Sequence, residues 1–222
     1  MSSFATCCAT VAAKQLSSSS ERTLLCPTWP AGPAPSFLPC RYAIHVNIAK
    51  LVDVFGSARG MLLVFEDMGE TLMQVCQAKR MDHCQSWRKA ICIQIVQAVS
   101  YLHLQHMAHR DVCADNVYVS GVSSGSASAD VWVRLADLGN ASLLLPSARC
   151  PIDLGRRPTY HQAPEILMDG VWDEKMDVWS CGVLVAFSVM GRLPWHPSSG
   201  ALSTIRRIMK AIGAPPPDAI RL

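Results

Sequence analysis

Long apolar runs are missing from this chain: no stretch of its 222 residues approaches the ~18 that a membrane-spanning helix requires. Charge is sparse too, at 17% of residues with a net of +3 and no run of Lys or Arg, so nucleic-acid binding has no electrostatic support. The first residues, "MSSFATCCATVAAKQL", lack the ordered basic, apolar and cleavage regions of a signal peptide, and the expectation is a cytoplasmic or nuclear protein. No repeat recurs along the chain, which removes solenoids and propellers. Ten cysteines are present but no Cys-x-x-Cys pair, which disfavours zinc ribbons and thioredoxin-type redox motifs. Cys92 in "AICIQIV" and Cys181 in "WSCGVLV" sit in apolar stretches, so the cysteines read as reduced, small core residues.

Half of the residues are hydrophobic, enough for one sizeable core or two unequal lobes. The N-terminal third is irregular. A strand candidate, "TVAAKQL", is followed by "SSSSE" and by five prolines between Pro27 and Pro39, which oppose a regular helix. Two β-rich runs, Lys50–Phe55 and Met61–Glu66, flank "GSARG" and read as a hairpin. From Gln85 to Met107 the apolar residues Trp87, Ile91, Ile95, Ala98 and Leu102 recur at helical spacing. Two short strands, "NVYVS" and "VWVRL", are joined by the Gly/Ser-rich "GVSSGSASA". Gly139 to Thr159 shows no periodicity, and loops of that length in a compact domain are usually functional or disordered. "DEKMDVWSCGVLVAFSVMG" is apolar on nearly every face and reads as a buried helix capped by Gly191. A final amphipathic helix, from about Leu202 to Ile212, puts Ile205, Ile208 and Ile212 on one side.

"HRDVCADN", His109 to Asn116, carries the chemistry. An Asp and an Asn five apart behind a His-Arg pair suit a loop that holds a metal and a reacting hydroxyl. "RLADLGN" puts Asp137 just beyond a strand, 26 residues after Asp111, and "QAPE", "DVWSCGV" and "GRLPW" follow in order. In this order the motifs resemble those of eukaryotic protein kinases, H-R-D-L-x-x-x-N, D-F-G and A-P-E. The resemblance covers roughly residues 10 to 213 and lies nearest the branch of cyclin-dependent and mitogen-activated kinases. It implies an α+β, two-lobed fold: residues 1–68 as a truncated β-rich N-lobe with the hinge, and residues 69–222 as a mainly helical C-lobe without its last helices.

The resemblance also implies roles. Asp111 is the catalytic residue, accepting or orienting the substrate hydroxyl proton, while Asn116 and Asp137 hold Mg²⁺ through oxygen atoms. In "LLVFEDM", Phe65 is the gatekeeper, and backbone groups of Glu66 and Met68 hydrogen-bond the adenine of ATP. Lys14 of "VAAK" resembles the strand lysine that contacts ATP. His109 packs in the core and Asp177 braces the catalytic loop through backbone hydrogen bonds. Arg110 pairs with an activation-loop phosphate in many kinases, and Ser142, Ser147, Thr159 and Tyr160 are candidate acceptors here.

The chain departs from the family at several points. The Gly-rich phosphate loop is absent, and no Glu stands where the partner of Lys14 is expected, Glu21 lying too close behind it. Cys113 replaces the lysine two residues after the catalytic Asp, and Pro158 replaces a threonine that touches that Asp. Glu165 is expected to lack its buried arginine partner. Two functions follow: a protein serine/threonine kinase using ATP and Mg²⁺ on a protein substrate, or a degenerate kinase domain that binds or scaffolds a partner protein. Neither a nucleic acid nor a membrane is expected as a partner.

Overall fold

The helical periodicity beginning at Trp87 sets where the core forms. In a computed structural model, which describes residues 21–27, 43–57, 60–78, 85–121, 131–144, 160–168, 173–195 and 200–214, those residues lie on helix α2, Gln85–Leu104. Ile91, Ile95, Ala98 and Leu102 are fully buried and Trp87 is 6% exposed. Complete burial of an Ile or Leu side chain contributes about 1.5–3 kcal/mol, so this one stripe anchors the larger lobe. A shorter helix α1, Leu72–Gln77, precedes it and starts in a capping box between Thr71 and Gln74.

Helix α4, Lys175–Met190, packs against α2 and stops at Gly191, whose φ of 66° permits the left-handed C-cap and whose N–H donates to the Phe187 carbonyl. Its apolar surface is not wholly covered: Val178 and Val189 are more than half exposed, while Cys181, Leu184 and Phe187 join the main core and Met176 and Val183 are buried in two smaller clusters. The four-residue helix α3, Pro164–Leu167, and helix α5, Ala201–Ile212, pack on the far side. On α5, Thr204 and Ile208 are buried, but Ile212 is 62% exposed because it lies at the helix end, past the packed surface. Among the described residues no helix is long and apolar enough to cross a membrane.

Among the described residues the β structure forms three small sheets. Strands β2, Leu51–Ser57, and β3, Gly60–Glu66, make the expected antiparallel hairpin. Strand β1, Glu21–Pro27, pairs along the other edge of β3, in a segment that reads as irregular from its serines and prolines. The candidate strand "TVAAKQL" lies outside the described residues. The second sheet joins β4, Glu70–Thr71, to the hairpin of β6, Val117–Ser120, and β7, Trp132–Leu135. The third pairs β5, Met107–Ala108, with β8, Ser142–Leu143, giving structure to the start of the stretch that shows no periodicity.

Buried polar groups tie the lobes together. Asn47 is 2% exposed and donates through Nδ2 to Gln94 Oε1 (2.8 Å) and to the Val133 carbonyl (2.9 Å). Gln94 on α2 in turn bonds the Val131 carbonyl and the Val133 N–H of the β7 region. A parallel bridge from Ile48 to Leu135 runs beside this clamp, so the segment before β2 is fixed to the strand that leads into Asp137. A buried amide with all these partners is satisfied, whereas an orphaned one would cost about 1–3 kcal/mol.

Candidate active site

Two strand pairings assemble the site. In the β6–β7 hairpin Val117 faces Leu135, and the next step of the ladder continues as the Ala136 N–H donates to the Asn116 carbonyl at 2.9 Å. Asn116 and Asp137 thus leave the same end of one hairpin. The β5–β8 pair sets Ala108 opposite Ser142, bringing the loop of Asp111 against the segment after Asp137. Asn116 closes the loop on itself, its Nδ2 donating to the Asp111 carbonyl at 2.9 Å. Residues distant in sequence therefore converge through backbone hydrogen bonds, as their order in the chain predicts.

Beneath the loop lies a carboxylate with almost no exposure. Asp177, 1% exposed on α4, accepts from the backbone N–H of His109 (2.7 Å) and of Arg110 (2.8 Å), and His103 Nε2 lies 3.1 Å from the same carboxylate. Arg110 has a φ of 69°, a left-handed conformation costing a non-glycine residue about 1–2 kcal/mol, and Asp177 offsets that cost by binding both amides. His109 is fully buried: its Nδ1 accepts from the Asp111 N–H at 3.2 Å, and Nε2 faces the Ala136 carbonyl at 3.0 Å. A carbonyl can only accept, so the ring proton sits on Nε2. The core role of His109 and the bracing role of Asp177 are both realised.

The Asp111 carboxylate points between two side chains that sequence reasoning missed. Asn140 Nδ2 donates to Oδ2 at 3.1 Å, and His161 Nε2 lies 3.1 Å from Oδ1. An ionised carboxylate offers only acceptors, so Nε2 is the donor. His161 is 6% exposed, and its backbone carbonyl takes the Ser180 hydroxyl of α4 at 2.9 Å, which fixes its place. No spacing rule marks either residue. The one available signal was that His161 directly precedes "QAPE". Pro158, where the family's threonine would stand, is outside the described residues.

Cys113 is 7% exposed, and burial, reinforced by the Asp111 charge, pushes its thiol well above the ordinary range. It is a neutral group where a cation was expected. Burial also raises Asp115, whose shift is opposed by His161 and reinforced by Asp111. Tyr160 is 8% exposed and its hydroxyl accepts from the Ala114 N–H at 3.2 Å, so of the candidate phosphate acceptors this one is an interior packing group. Ser142 is half-buried on β8, and Ser147 and Thr159 lie outside the described residues. Glu165 is only half-buried, at the start of α3, so its solvated carboxylate escapes the full cost expected of an unpaired buried charge.

Asp137 itself is exposed, at φ 62° and ψ 65°, with Oδ1 accepting from the Gly139 N–H at 3.2 Å. Leu138 beside it is 2% exposed, the apolar anchor its position demands. The donor set fits Mg²⁺: an amide oxygen from Asn116 and a carboxylate from Asp137 are hard oxygen ligands, carried at the end of one hairpin.

At the end of β3 and just beyond it, Phe65 (4% exposed) and Met68 (2%) are buried, while Glu66 is half-buried and Asp67 exposed. Glu66 is held by its own partners: its N–H donates to the Lys50 carbonyl and its Oε1 lies 2.6 Å from Arg134 Nε on β7. Gly69 follows with a φ of 84°, and a Cβ there would stand 2.6 Å from the Val119 carbonyl oxygen, so only glycine fits. Lys14 lies outside the described residues.

The family model described as "Protein kinase domain" matches residues 37–218. The human ribosomal protein S6 kinase alpha-6 is 36% identical over 180 residues, 78% of this chain and 22% of that protein. A protein kinase domain-containing protein of Schizosaccharomyces pombe is 29% identical over 170 residues, 76% of this chain and 30% of its own length. The human cyclin-dependent kinase-like 4 is 25% identical over 170 residues, 76% of this chain and 42% of its own length. The chain thus spans less than half the length of each of these relatives.

Proposed function

The chain belongs to the protein kinase family, and from that premise we propose that it is a serine/threonine kinase, transferring the γ-phosphoryl group of ATP to a hydroxyl of a protein substrate. What supports this most is the convergence of Asp111, Asn116 and Asp137 through the β6–β7 hairpin and the β5–β8 pair. Asp111 takes the hydroxyl proton as the substrate oxygen bonds to the γ-phosphorus and the bond to the leaving ADP breaks. Hydrogen bonds from His161 and Asn140 hold one oxygen each and orient the carboxylate, and each oxygen keeps a second lone pair for the substrate. Asn116 and Asp137 would hold Mg²⁺, which supplies positive charge against the phosphates. Backbone groups of Glu66 and Met68, below the gatekeeper Phe65, bind adenine in this reading, and Lys14 contacts the phosphates. The setting is the cytoplasm or nucleus.

Cys113 limits the rate. A neutral thiol there forgoes a preorganised positive donor, a loss of about 2.7–4 kcal/mol of transition-state stabilisation. The reaction is slowed and still possible. The test has two arms. Mg-ATP should raise the melting temperature of the parent and not of Asp137→Asn. Transfer of labelled γ-phosphate should occur in the parent and vanish in Asp111→Ala. Stabilisation by Mg-ATP without any transfer would instead favour the binding or scaffolding module.

A further inference from the structure

The family's hard-metal pair does not account for a second group of donors around the same loop. The Asp111 carboxylate, the Cys113 sulfur and a ring nitrogen of His161 place one ligand atom each within 4.8 Å of one another. Cys113 and His161 are both buried, at 7% and 6% exposure, and Asp111 opens toward solvent. We propose that Asp111, Cys113 and His161 bind a borderline or soft divalent transition-metal ion of the Zn²⁺ class, with a fourth, solvent-facing position left for water.

The chemistry selects that class. Thiolate and imidazole are ligands for Zn²⁺ and its neighbours, and Mg²⁺ prefers oxygen alone. Bonds of about 2.0–2.3 Å in a tetrahedron put ligand atoms about 3.3–3.6 Å apart. Asp111 Oδ1 and His161 Nε2, at 3.1 Å, already stand close to that spacing. With all three atoms within 4.8 Å, the sulfur closes by at most about 1.2–1.5 Å to reach that spacing, a side-chain adjustment on a loop otherwise held by its backbone. Asn140 Nδ2 holds Asp111 Oδ2 at 3.1 Å, as groups that orient a ligating carboxylate do, and the Ser180 hydroxyl fixes the main chain of His161. On binding, the metal–sulfur bond forms as the thiol proton is released to solvent. The imidazole proton now on Nε2 moves to Nδ1, so Nε2 can donate its lone pair. If Asp111 is the catalytic residue, as proposed above, the bound ion occupies the carboxylate needed for the substrate hydroxyl and blocks transfer.

Titrating the intact chain with Co²⁺ alone tests this without nucleotide or substrate, so failure of the kinase reading does not affect it. One equivalent should produce a near-ultraviolet thiolate-to-cobalt band. The band should disappear in Cys113→Ser, change in position and intensity in His161→Gln, and persist in Cys181→Ser, each variant being checked for folding by its melting curve. If Cys113→Ser does not fold, the response of His161→Gln decides. Absence of a band in the parent, a band of full intensity in folded Cys113→Ser, or an unaltered spectrum in His161→Gln would overturn the site.

Discussion

Replacing Asp177 by Asn probes the brace under the catalytic loop with almost no change in volume. The carboxylate is 1% exposed and takes the His109 and Arg110 amides at 2.7 and 2.8 Å, one on each oxygen. An amide retains one acceptor and turns an NH₂ toward the other N–H. One hydrogen bond to a charged acceptor is lost, about 1.5–3 kcal/mol, and a buried donor is left unsatisfied, about 1–3 kcal/mol. The left-handed Arg110 then loses part of what holds it. A total of about 3–5 kcal/mol is consistent with breaking a buried charge interaction. Since domains are stable by about 5–15 kcal/mol, the variant should retain a fold but unfold at much lower urea. Hydrogen exchange adds a local readout: the amides of His109 and Arg110 should lose protection before the centre of α2 does. An unchanged urea midpoint with both amides still protected would refute the bracing role.

Three further outcomes follow from the same structure. Gly69→Ala should destabilise by about 1–3 kcal/mol or more in urea melts, because a φ of 84° and a 2.6 Å approach to the Val119 oxygen both exclude a Cβ. Alkaline pH should weaken the fold through Cys181, which burial, with the Asp177 charge, raises from 9.0 to about 12. Between those values the unfolded thiol has lost its proton and the folded one keeps it. Stability from this group is therefore whole below pH 9 and falls by about 1.4 kcal/mol per pH unit across the window; Cys181→Ala should flatten the measured slope by that amount. Cys113→Lys should speed phosphoryl transfer by about 10²–10³-fold by returning a positive donor beside Asp111, and an unchanged rate would show that the thiol is not what limits the reaction.

Much of the fold was legible because its signals are local. The stripe from Trp87 to Leu102, the two-period strands around residues 117 and 133, and Gly191 as a helix stop each depend on neighbours a few positions apart. The brace under the loop was legible through the order of the motifs: Asp177 accepts from the amides of His109 and Arg110, and Asn116 closes the loop on the Asp111 carbonyl. What escaped was long-range and unpatterned. Strand β1 lies in a segment rich in serine and proline because pairing with β3 outweighs its poor propensity. His161 and Asn140 reach Asp111 from 50 and 29 residues away, contacts that only the folded loop creates. Tyr160, a candidate acceptor by its position, is buried with its hydroxyl on the Ala114 amide, which its sequence neighbours do not reveal. Ile212 has the right helical phase but stands 62% exposed at the end of α5.

The central claim, that Asp111 serves phosphoryl transfer on this loop, is tested most directly by single-turnover transfer of labelled γ-phosphate from Mg-ATP to a Ser/Thr peptide library. Slow, measurable transfer is expected from the parent and none from Asp111→Ala, with folding preserved in both. Equal incorporation by the parent and Asp111→Ala would contradict it.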